Sequence, residues 1–208
     1  MHIPDGFLDT KTWVTFTIVS GFAAGAAARI ASKKSDAKKI PMMGVMAAFI
    51  FAAQMLNFPV AGGTSGHFMG GVLAAVLLGP AQGLLVMAAV LVVQCFVFQD
   101  GGITALGANI FNMGIVGSVF GYLLYLLFRK TGRTVSVFAA SLLSIVAAAC
   151  ACAIELAVSG TVPLKAALPA MAGVHVLIGI GEGIITVAVL GLIAKVRPDL
   201  LNSVSNNK

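Results

Sequence analysis

The sequence predicts an all-α polytopic membrane protein with seven transmembrane helices. Hydrophobic residues make up 59% of the 208 residues and charged residues only 10%, whereas a soluble domain carries about 25% charged residues. Apolar runs of membrane-spanning length recur along nearly the whole chain. Such runs form helices in lipid because a helix satisfies its own backbone hydrogen bonds. We therefore treat residues 1–208 as a single integral membrane domain.

Turn formers and basic clusters divide the chain into seven apolar segments. The segments cover about 13–30, 42–56, 67–79, 80–98, 103–128, 135–158 and 168–196. The third segment is short, because thirteen helical residues reach about 20 Å against about 30 Å of hydrocarbon. We expect the uncharged, glycine-rich stretch 57–66 before it to dip into the membrane and line an outward-facing pocket, with His67 opening the third helix on the pocket wall.

The basic residues are distributed asymmetrically over the loops. With the N-terminus outside, only Lys11 and Lys165 face outward. The other eleven basic residues face inward: Arg29, Lys33, Lys34, Lys38, Lys39, Arg129, Lys130, Arg133, Lys195, Arg197 and Lys208. The positive-inside rule therefore predicts an external N-terminus, seven crossings and a cytoplasmic tail at 197–208. The net charge of +6 reflects this topology and does not indicate nucleic-acid binding.

The chain start is a candidate metal chelator. The α-amine of Met1, the amide nitrogen of His2 and the imidazole of His2 can wrap one metal ion in fused rings. Late first-row ions such as Ni(II) and Cu(II) favour planar nitrogen fields of this kind, and one position remains for a fourth nitrogen. We expect Met1 to be retained because His2 is not small. The alternative is a disordered chain end, although the apolar, turn-prone stretch 3–8 favours packing.

His67 is a candidate for the missing nitrogen, since it lies on the same predicted face as His2. Its alternative role is to cap the third helix. His175 and Glu182 lie seven residues apart on one face of the last segment. Ionisable residues inside a membrane indicate function by default, and the alternative for these two is a hydrogen-bonded pair that fixes helix packing.

Polar side chains in the fourth and fifth segments form a second group of candidates. Gln94 lies in the fourth segment, and Asn109 and Asn112 share a face of the fifth. These amides are placed to orient metal-binding imidazoles or the N-terminal segment. Their alternative role is to hydrogen-bond neighbouring helices.

Two competing functions follow from other features. Gly63-Thr64-Ser65-Gly66 resembles the nucleophile motif of rhomboid intramembrane proteases, with His175 as a possible base. A stand-alone channel or secondary transporter is the other alternative, although the inner halves of the segments offer few polar residues. The sequence contains no Walker motif, so the chain does not itself use ATP.

The stretch Met1–Leu8 resembles the N-terminal signature of the CbiM/NikM family, the cobalt and nickel substrate-binding membrane subunits (S components) of energy-coupling factor transporters. The stretches Gly66–Gly71 and Ala108–Gly114 also match the family pattern. The resemblance covers essentially the whole chain and is closest to the nickel-specific NikM type. It implies a transporter subunit of a prokaryotic plasma membrane rather than an enzyme.

The resemblance also implies a fold, a site and partners. Six helices would resemble those of other S components, and an additional N-terminal helix would carry the chelating segment 1–12 into the pocket formed by 57–67. The Met1 amine, the amide and imidazole of His2, and the imidazole of His67 would hold Ni(II) or Co(II) as the transported substrate. Ser65 belongs to the same pocket. The implied partners are a transmembrane coupling subunit, two ABC-type ATPases and a small accessory membrane subunit, within a lipid bilayer and without nucleic acid.

Overall fold

The computed structural model describes residues 1–34, 39–60 and 64–205. Lys38 of the basic loop, Gly62 and Gly63 of the glycine-rich stretch and Lys208 of the tail lie outside the described residues. The helices are α1 (Thr10–Lys34), α2 (Lys39–Gln54), α3 (Gly71–Leu78), α4 (Pro80–Phe98), α5 (Leu106–Ile110), α6 (Gly121–Phe128), α7 (Arg133–Val158), α8 (Leu164–Val196) and α9 (Pro198–Ser205). The strands are β1 (Asn57–Val60) and β2 (Thr64–His67).

The molecule is mostly helical, and the described residues include five helical segments long and apolar enough to cross a membrane. These are α1, α4, the rod from α5 through α6, α7 and α8. Helix α2 is apolar but has only 16 residues. Large apolar side chains such as Phe22, Leu127 and Val158 point outward from the long helices, as expected for surfaces that face lipid.

The expectation of an all-α chain is wrong at one place. The glycine-rich stretch forms an antiparallel hairpin in which Asn57 pairs with His67 and Val60 pairs with Thr64. The pairing satisfies backbone groups that would otherwise lie buried without partners. His67 is consequently the last residue of β2 and does not open a helix, since α3 begins four residues later at Gly71.

Helix α3 forms the centre of the packed core. All eight of its residues are buried, and it packs on α4, α6 and the π-helical stretch Phe111–Phe120. Gly71 allows this close packing, because a Cβ there would lie 2.6 Å from the backbone carbon of Gly117. Helix α3 therefore has protein neighbours on every side, and with eight residues it is shorter than the roughly 20 residues of a full membrane-spanning helix.

The fifth predicted segment is one helical rod with a change of winding. Helix α5 continues into the π-helical stretch, then into α6 and a 3-10 turn that ends at Thr131. Extended π-helix is rare, and it is often found near functional sites. Here it lies between α5, whose Asn109 contacts the N-terminal segment, and α6. Helices α7 and α8 pack along each other and complete the bundle.

Candidate metal centre

The first three residues are fixed inside the protein. Met1 and Ile3 are fully buried and His2 is 4% exposed. The backbone nitrogen of Ile3 donates to Oδ1 of Asn109 at 2.9 Å, and its carbonyl oxygen accepts from Nδ2 of Asn109 at 3.2 Å and from the backbone nitrogen of Gly102 at 2.8 Å. The chain end is therefore held by backbone hydrogen bonds, and the alternative of a disordered terminus is wrong.

A second set of contacts fixes the segment just beyond. The carboxylate of Asp5 accepts hydrogen bonds from the backbone nitrogens of Ile103 at 3.1 Å and Thr104 at 2.8 Å, and from the Thr104 hydroxyl at 2.6 Å. Gly102 lies directly against the N-terminal segment, where a Cβ would collide with the backbone nitrogen of Asp5. These donors hold the pKa of Asp5 below its ordinary value, so the carboxylate stays ionised and keeps accepting these hydrogen bonds at neutral pH.

The Met1 amine lies against the hairpin. It donates to the carbonyl oxygen of Ser65, lies 3.3 Å from Oγ of Ser65, and lies 2.8 Å from Nε2 of His67. Metal–nitrogen bonds of about 2.0 Å at right angles put neighbouring nitrogens about 2.8 Å apart. The amine and the His67 imidazole therefore have the separation of one edge of a planar four-nitrogen site.

The tautomer of His67 is set by its own strand end. Nδ1 of His67 donates to the carbonyl oxygen of Phe68 at 2.7 Å, so Nε2 carries the lone pair that faces Met1. The turn after His67 is held from α8, where the carboxylate of Glu182 accepts from the backbone nitrogens of Met69 at 2.6 Å and Gly70 at 3.0 Å. Glu182 thus positions the hairpin end through backbone contacts.

The tautomer of His2 is set by a chain of two amides. Nε2 of Gln54 donates to the carbonyl oxygen of Met69 at 2.9 Å, which leaves Oε1 of Gln54 to accept from Nε2 of Gln94 at 2.9 Å. Oε1 of Gln94 must then accept from Nε2 of His2, 3.1 Å away. The proton of the His2 ring is consequently on Nε2, and Nδ1 is the nitrogen with a free lone pair.

Nδ1 of His2 is also the ring nitrogen that can close a chelate ring with the amide of the same residue. It is buried and has no hydrogen-bond partner in the described chain. Oδ1 of Asp100 lies 3.3 Å away, a distance typical of an ion pair, but the amide chain leaves this nitrogen without a proton. Two electron-rich atoms face each other here, and a cation between or beside them fits this arrangement.

Burial keeps the candidate ligands uncharged. Desolvation lowers the pKa of the Met1 amine to about 5 and that of His2 to about 3. Desolvation, followed by the nearby amine, lowers the pKa of His67 well below its ordinary value. The three groups are therefore neutral at pH 7 and present lone pairs. The His2 ring also stacks on the His67 ring, with centroids 4.6 Å apart, which protonation of both rings would disfavour.

Comparison with known proteins identifies the family. A family model described as the cobalt uptake substrate-specific transmembrane region, CbiM, matches residues 2–200. The chain belongs to the CbiM family. Two solved structures of the same fold, both titled as transition metal transporters and one of them truncated, have TM-scores of 0.89 at 34% and 35% identity. Both cover 94% of this chain, and this chain covers 99% of the truncated one and 93% of the other.

Curated relatives of this CbiM-family chain are named for nickel, cobalt or metal transport. A relative from Archaeoglobus fulgidus named for fused nickel transport is 46% identical over 97% of this chain and 68% of its own length. The fused nickel transport protein NikMN of Rhodobacter capsulatus is 34% identical over 97% of this chain and 64% of its own length. A relative from Methanococcus voltae named for cobalt transport is 30% identical over 100% of this chain and 97% of its own length.

The remaining sequence candidates of the CbiM-family chain, Asn112, His175 and Glu182, have hydrogen-bond partners other than the four nitrogens. Nδ2 of Asn112 donates to Oε2 of Glu155 at 2.7 Å, so this amide holds the π-helical stretch to α7. Nδ1 of His175 donates to the carbonyl oxygen of Met171 at 2.7 Å, while Glu182 binds the backbone after His67. The proposed pairing of His175 with Glu182 is therefore replaced by two separate backbone contacts.

The protease alternative is not supported by this geometry. Oγ of Ser65 lies 3.3 Å from the Met1 amine and 3.4 Å from the amide nitrogen of His2. Nε2 of His175 has no hydrogen-bond partner in the described chain, and its other nitrogen bonds a backbone carbonyl. A serine–histidine dyad requires a hydrogen bond between the two side chains, and these two do not form one.

Sequence reasoning missed Gln54, Asp100 and Asp5. Gln54 is the last residue of the apolar helix α2 and its one side-chain amide. A lone amide in an apolar segment could have marked it as a candidate. The described residues contain no cluster of three or more His, Cys, Asp or Glu side chains able to hold a metal. Three of the four candidate nitrogens in this family member come from the first two residues, two of them from the backbone, so a side-chain cluster is not required.

Proposed function

We propose that this CbiM-family protein captures Ni(II) or Co(II) on the outer face of a prokaryotic plasma membrane. The ligands are the Met1 amine, the deprotonated amide of His2, Nδ1 of His2 and Nε2 of His67, in one plane. The observation that supports this most strongly is the 2.8 Å separation of the Met1 and His67 nitrogens. Both histidine tautomers also leave free the nitrogen that such a site requires.

Selectivity follows from the nitrogen plane. Mg(II) and Ca(II) prefer oxygen ligands and are excluded, and Zn(II) prefers a tetrahedron. Cu(II) fits the plane and is excluded by its low availability. A planar field suits low-spin d⁸ nickel best, so we propose a preference for Ni(II) over Co(II). Relatives named for both metals support this pair of substrates.

For the topology, we propose seven crossings with the N-terminus outside. Segment 1–12 is then the external chelating segment, 57–67 is the pocket hairpin and 197–208 is the cytoplasmic tail. The eleven basic residues on the inner side and two on the outer side support this orientation. Labelling of cysteines introduced singly at Lys11 and Lys195 with a membrane-impermeant reagent tests it, because only the first should react in intact cells.

As to assembly, the protein acts as the substrate-binding subunit of an energy-coupling factor importer. Its partners are a transmembrane coupling subunit, two ATPase subunits and a small accessory membrane subunit. The absence of a Walker motif in the sequence supports an external source of energy. In proteoliposomes, uptake of nickel should require the partners and ATP, whereas uptake by this chain alone would favour the channel alternative.

Titration of the purified protein, tagged only at its C-terminus, tests the site. Ni(II) should bind with one-to-one stoichiometry and become diamagnetic, since planar nitrogen coordination forces low-spin pairing. Mg(II) and Ca(II) should not compete. Paramagnetic, six-coordinate nickel in the saturated complex would contradict the planar site, and equal competition by Ca(II) would contradict the nitrogen ligand set.

A further inference from the structure

A charge imbalance arises at the site if the proposed function holds, and the following inference rests on that function. A divalent ion bound to one deprotonated amide and three neutral nitrogens forms a complex with one net positive charge. Met1, His2 and His67 are each no more than 4% exposed. An uncompensated charge at such a place is strongly disfavoured, so tight binding requires a negative group nearby.

Asp100 is the carboxylate that faces these nitrogens. Its Oδ1 lies 3.3 Å from Nδ1 of His2, and its Oδ2 is buried with no hydrogen-bond partner in the described chain. A metal about 2.0 Å from Nδ1 would then lie no farther than about 5.3 Å from the carboxylate oxygen. The negative charge would therefore lie close to the ion, and the four proposed nitrogens already fill the plane.

The backbone fixes Asp100 at this position. Gln99 ends α4 in the left-handed conformation, with φ of 56°. The backbone nitrogen of Asp100 then donates to the carbonyl oxygen of Gln94 at 3.0 Å. This arrangement closes the helix end and directs the next residue toward His2. Gln94, which binds the His2 ring, and Asp100, which faces it, are thus positioned by the same helix terminus.

Other carboxylates nearby already have partners. Asp5 accepts three hydrogen bonds from Ile103 and Thr104, and Glu182 accepts two from Met69 and Gly70. Glu155 accepts one from Asn112 through Oε2, and its Oε1 has no hydrogen-bond partner in the described chain. Glu155 is thus directed to Asn112, whereas Oδ1 of Asp100 lies 3.3 Å from the His2 ring. Asp100 also lines a cavity of about 650 Å³ beside His2, Ser65 and Cys95, so its charge lies on the side from which a cation approaches the site.

We propose that Asp100 is a substrate-binding residue whose carboxylate neutralises the buried metal complex. It interacts with the complex through charge and leaves the four nitrogens as the ligands. Its removal should therefore weaken binding of the divalent ion while the coordination geometry stays unchanged. This combination separates a charge-balancing role from that of a nitrogen ligand and from a purely structural role.

The test compares Asp100→Asn with Asp9→Asn in the full-length protein. Both changes remove one negative charge at the same end of the molecule, and asparagine is also a good helix cap at position 9. We expect Asp100→Asn to weaken Ni(II) binding by about 10- to 100-fold, the range for groups that support metal ligands. Asp9→Asn should stay within about twofold of the wild type, as expected for an exposed charge screened by salt.

Two further readouts complete the experiment. Nickel bound to Asp100→Asn should remain diamagnetic with an unchanged visible spectrum, and Asp100→Glu should recover most of the affinity because it restores the charge. An affinity of Asp100→Asn within about threefold of the wild type, or a change to paramagnetic nickel, would overturn the proposal. If Asp100→Asn fails to fold, failure of Asp100→Glu to bind more tightly than Asp100→Ser overturns it. Lack of nickel binding by the wild type would instead contradict the proposed function.

Discussion

Two buried histidines of this protein form the same kind of hydrogen bond with the backbone but have different surroundings. His67 is 1% exposed and His175 is fully buried, and Nδ1 of each donates to a backbone carbonyl at 2.7 Å. Nε2 of His67 faces the Met1 amine at 2.8 Å, whereas Nε2 of His175 has no hydrogen-bond partner among the described residues. A fixed tautomer alone therefore does not make a metal site. Convergence with other nitrogens distinguishes the two residues.

Replacing each histidine tests this comparison with the largest expected difference. His67→Ala removes one of four nitrogens and should weaken Ni(II) binding by more than about 100-fold, beyond the usual effect of a supporting group. His175→Ala should change affinity by less than about threefold, although the lost packing lowers thermal stability. Isothermal titration measures both. Loss of Ni(II) binding by His175→Ala together with retained binding by His67→Ala would contradict the assignment of His67 as the ligand.

The amide chain behind His2 should give the next largest effect. Gln54→Leu removes the oxygen that accepts from Nε2 of Gln94 and so orients this amide, and Gln94 can then rotate and present its amino group to His2. The His2 proton would then move to Nδ1, and metal affinity should fall by about tenfold. Nitrogen NMR of the His2 ring reports the tautomer directly. Gln82→Leu is the matched control, since Gln82 is equally a buried glutamine of a helix but lies on the cavity near Pro80.

Near neutral pH, the dependence of metal affinity on pH should correspond to the release of one proton. The pKa of the Met1 amine is lowered to about 5 by burial, so above pH 5 the folded apoprotein carries a neutral amine and metal displaces only the amide proton. Affinity should rise about tenfold per pH unit between pH 6 and 8 and more steeply below pH 5. Titration in two buffers of different ionisation enthalpy should give about one proton released at pH 7. A value near two would mean that the amine keeps its ordinary pKa of about 8.

The smallest effect is expected away from the site, at the pair formed by Asn112 and Glu155. Glu155→Gln keeps an oxygen that can accept from Nδ2 of Asn112. Nickel affinity should therefore stay within about twofold of the wild type, because neither residue contacts the four nitrogens. Titration of this variant next to Gln54→Leu checks the distinction, and a loss of affinity as large as that of Gln54→Leu would place Asn112 in the supporting network.

The proposed site could be suggested in part from the sequence because its candidate chelating half is local. Met1 and His2 adjoin in the chain, and the charge pattern put His67 on the same face. Asn109 and Gln94 do contact the N-terminal segment, as their positions in the fifth and fourth segments suggested. The supporting residues Gln54 and Asp100 contact distant parts of the chain, as Gln54 does with Gln94 at a separation of 40 residues, and no spacing rule reveals such contacts.

The fold likewise has parts that the local sequence predicted and parts that depend on contacts between distant residues. The lengths of the apolar runs predicted the long helices, because a helix that crosses a membrane needs about 20 consecutive apolar residues. The hairpin was missed since strands of four residues containing proline and glycine show no alternation of polar and apolar side chains. The hairpin packs against α8, and Glu182 of α8 contacts the turn after His67, so its contacts come from a distant part of the chain.

Blocking the Met1 amine tests the central claim most directly. Acetylation of the Met1 amine retains every side chain, but it converts the amine into an amide and leaves no free amine at the chain start. We predict that the acetylated protein loses high-affinity Ni(II) binding and the diamagnetic planar complex, while its thermal stability without metal falls only slightly. Unchanged affinity with the same planar spectrum would show that the Met1 amine is not a ligand.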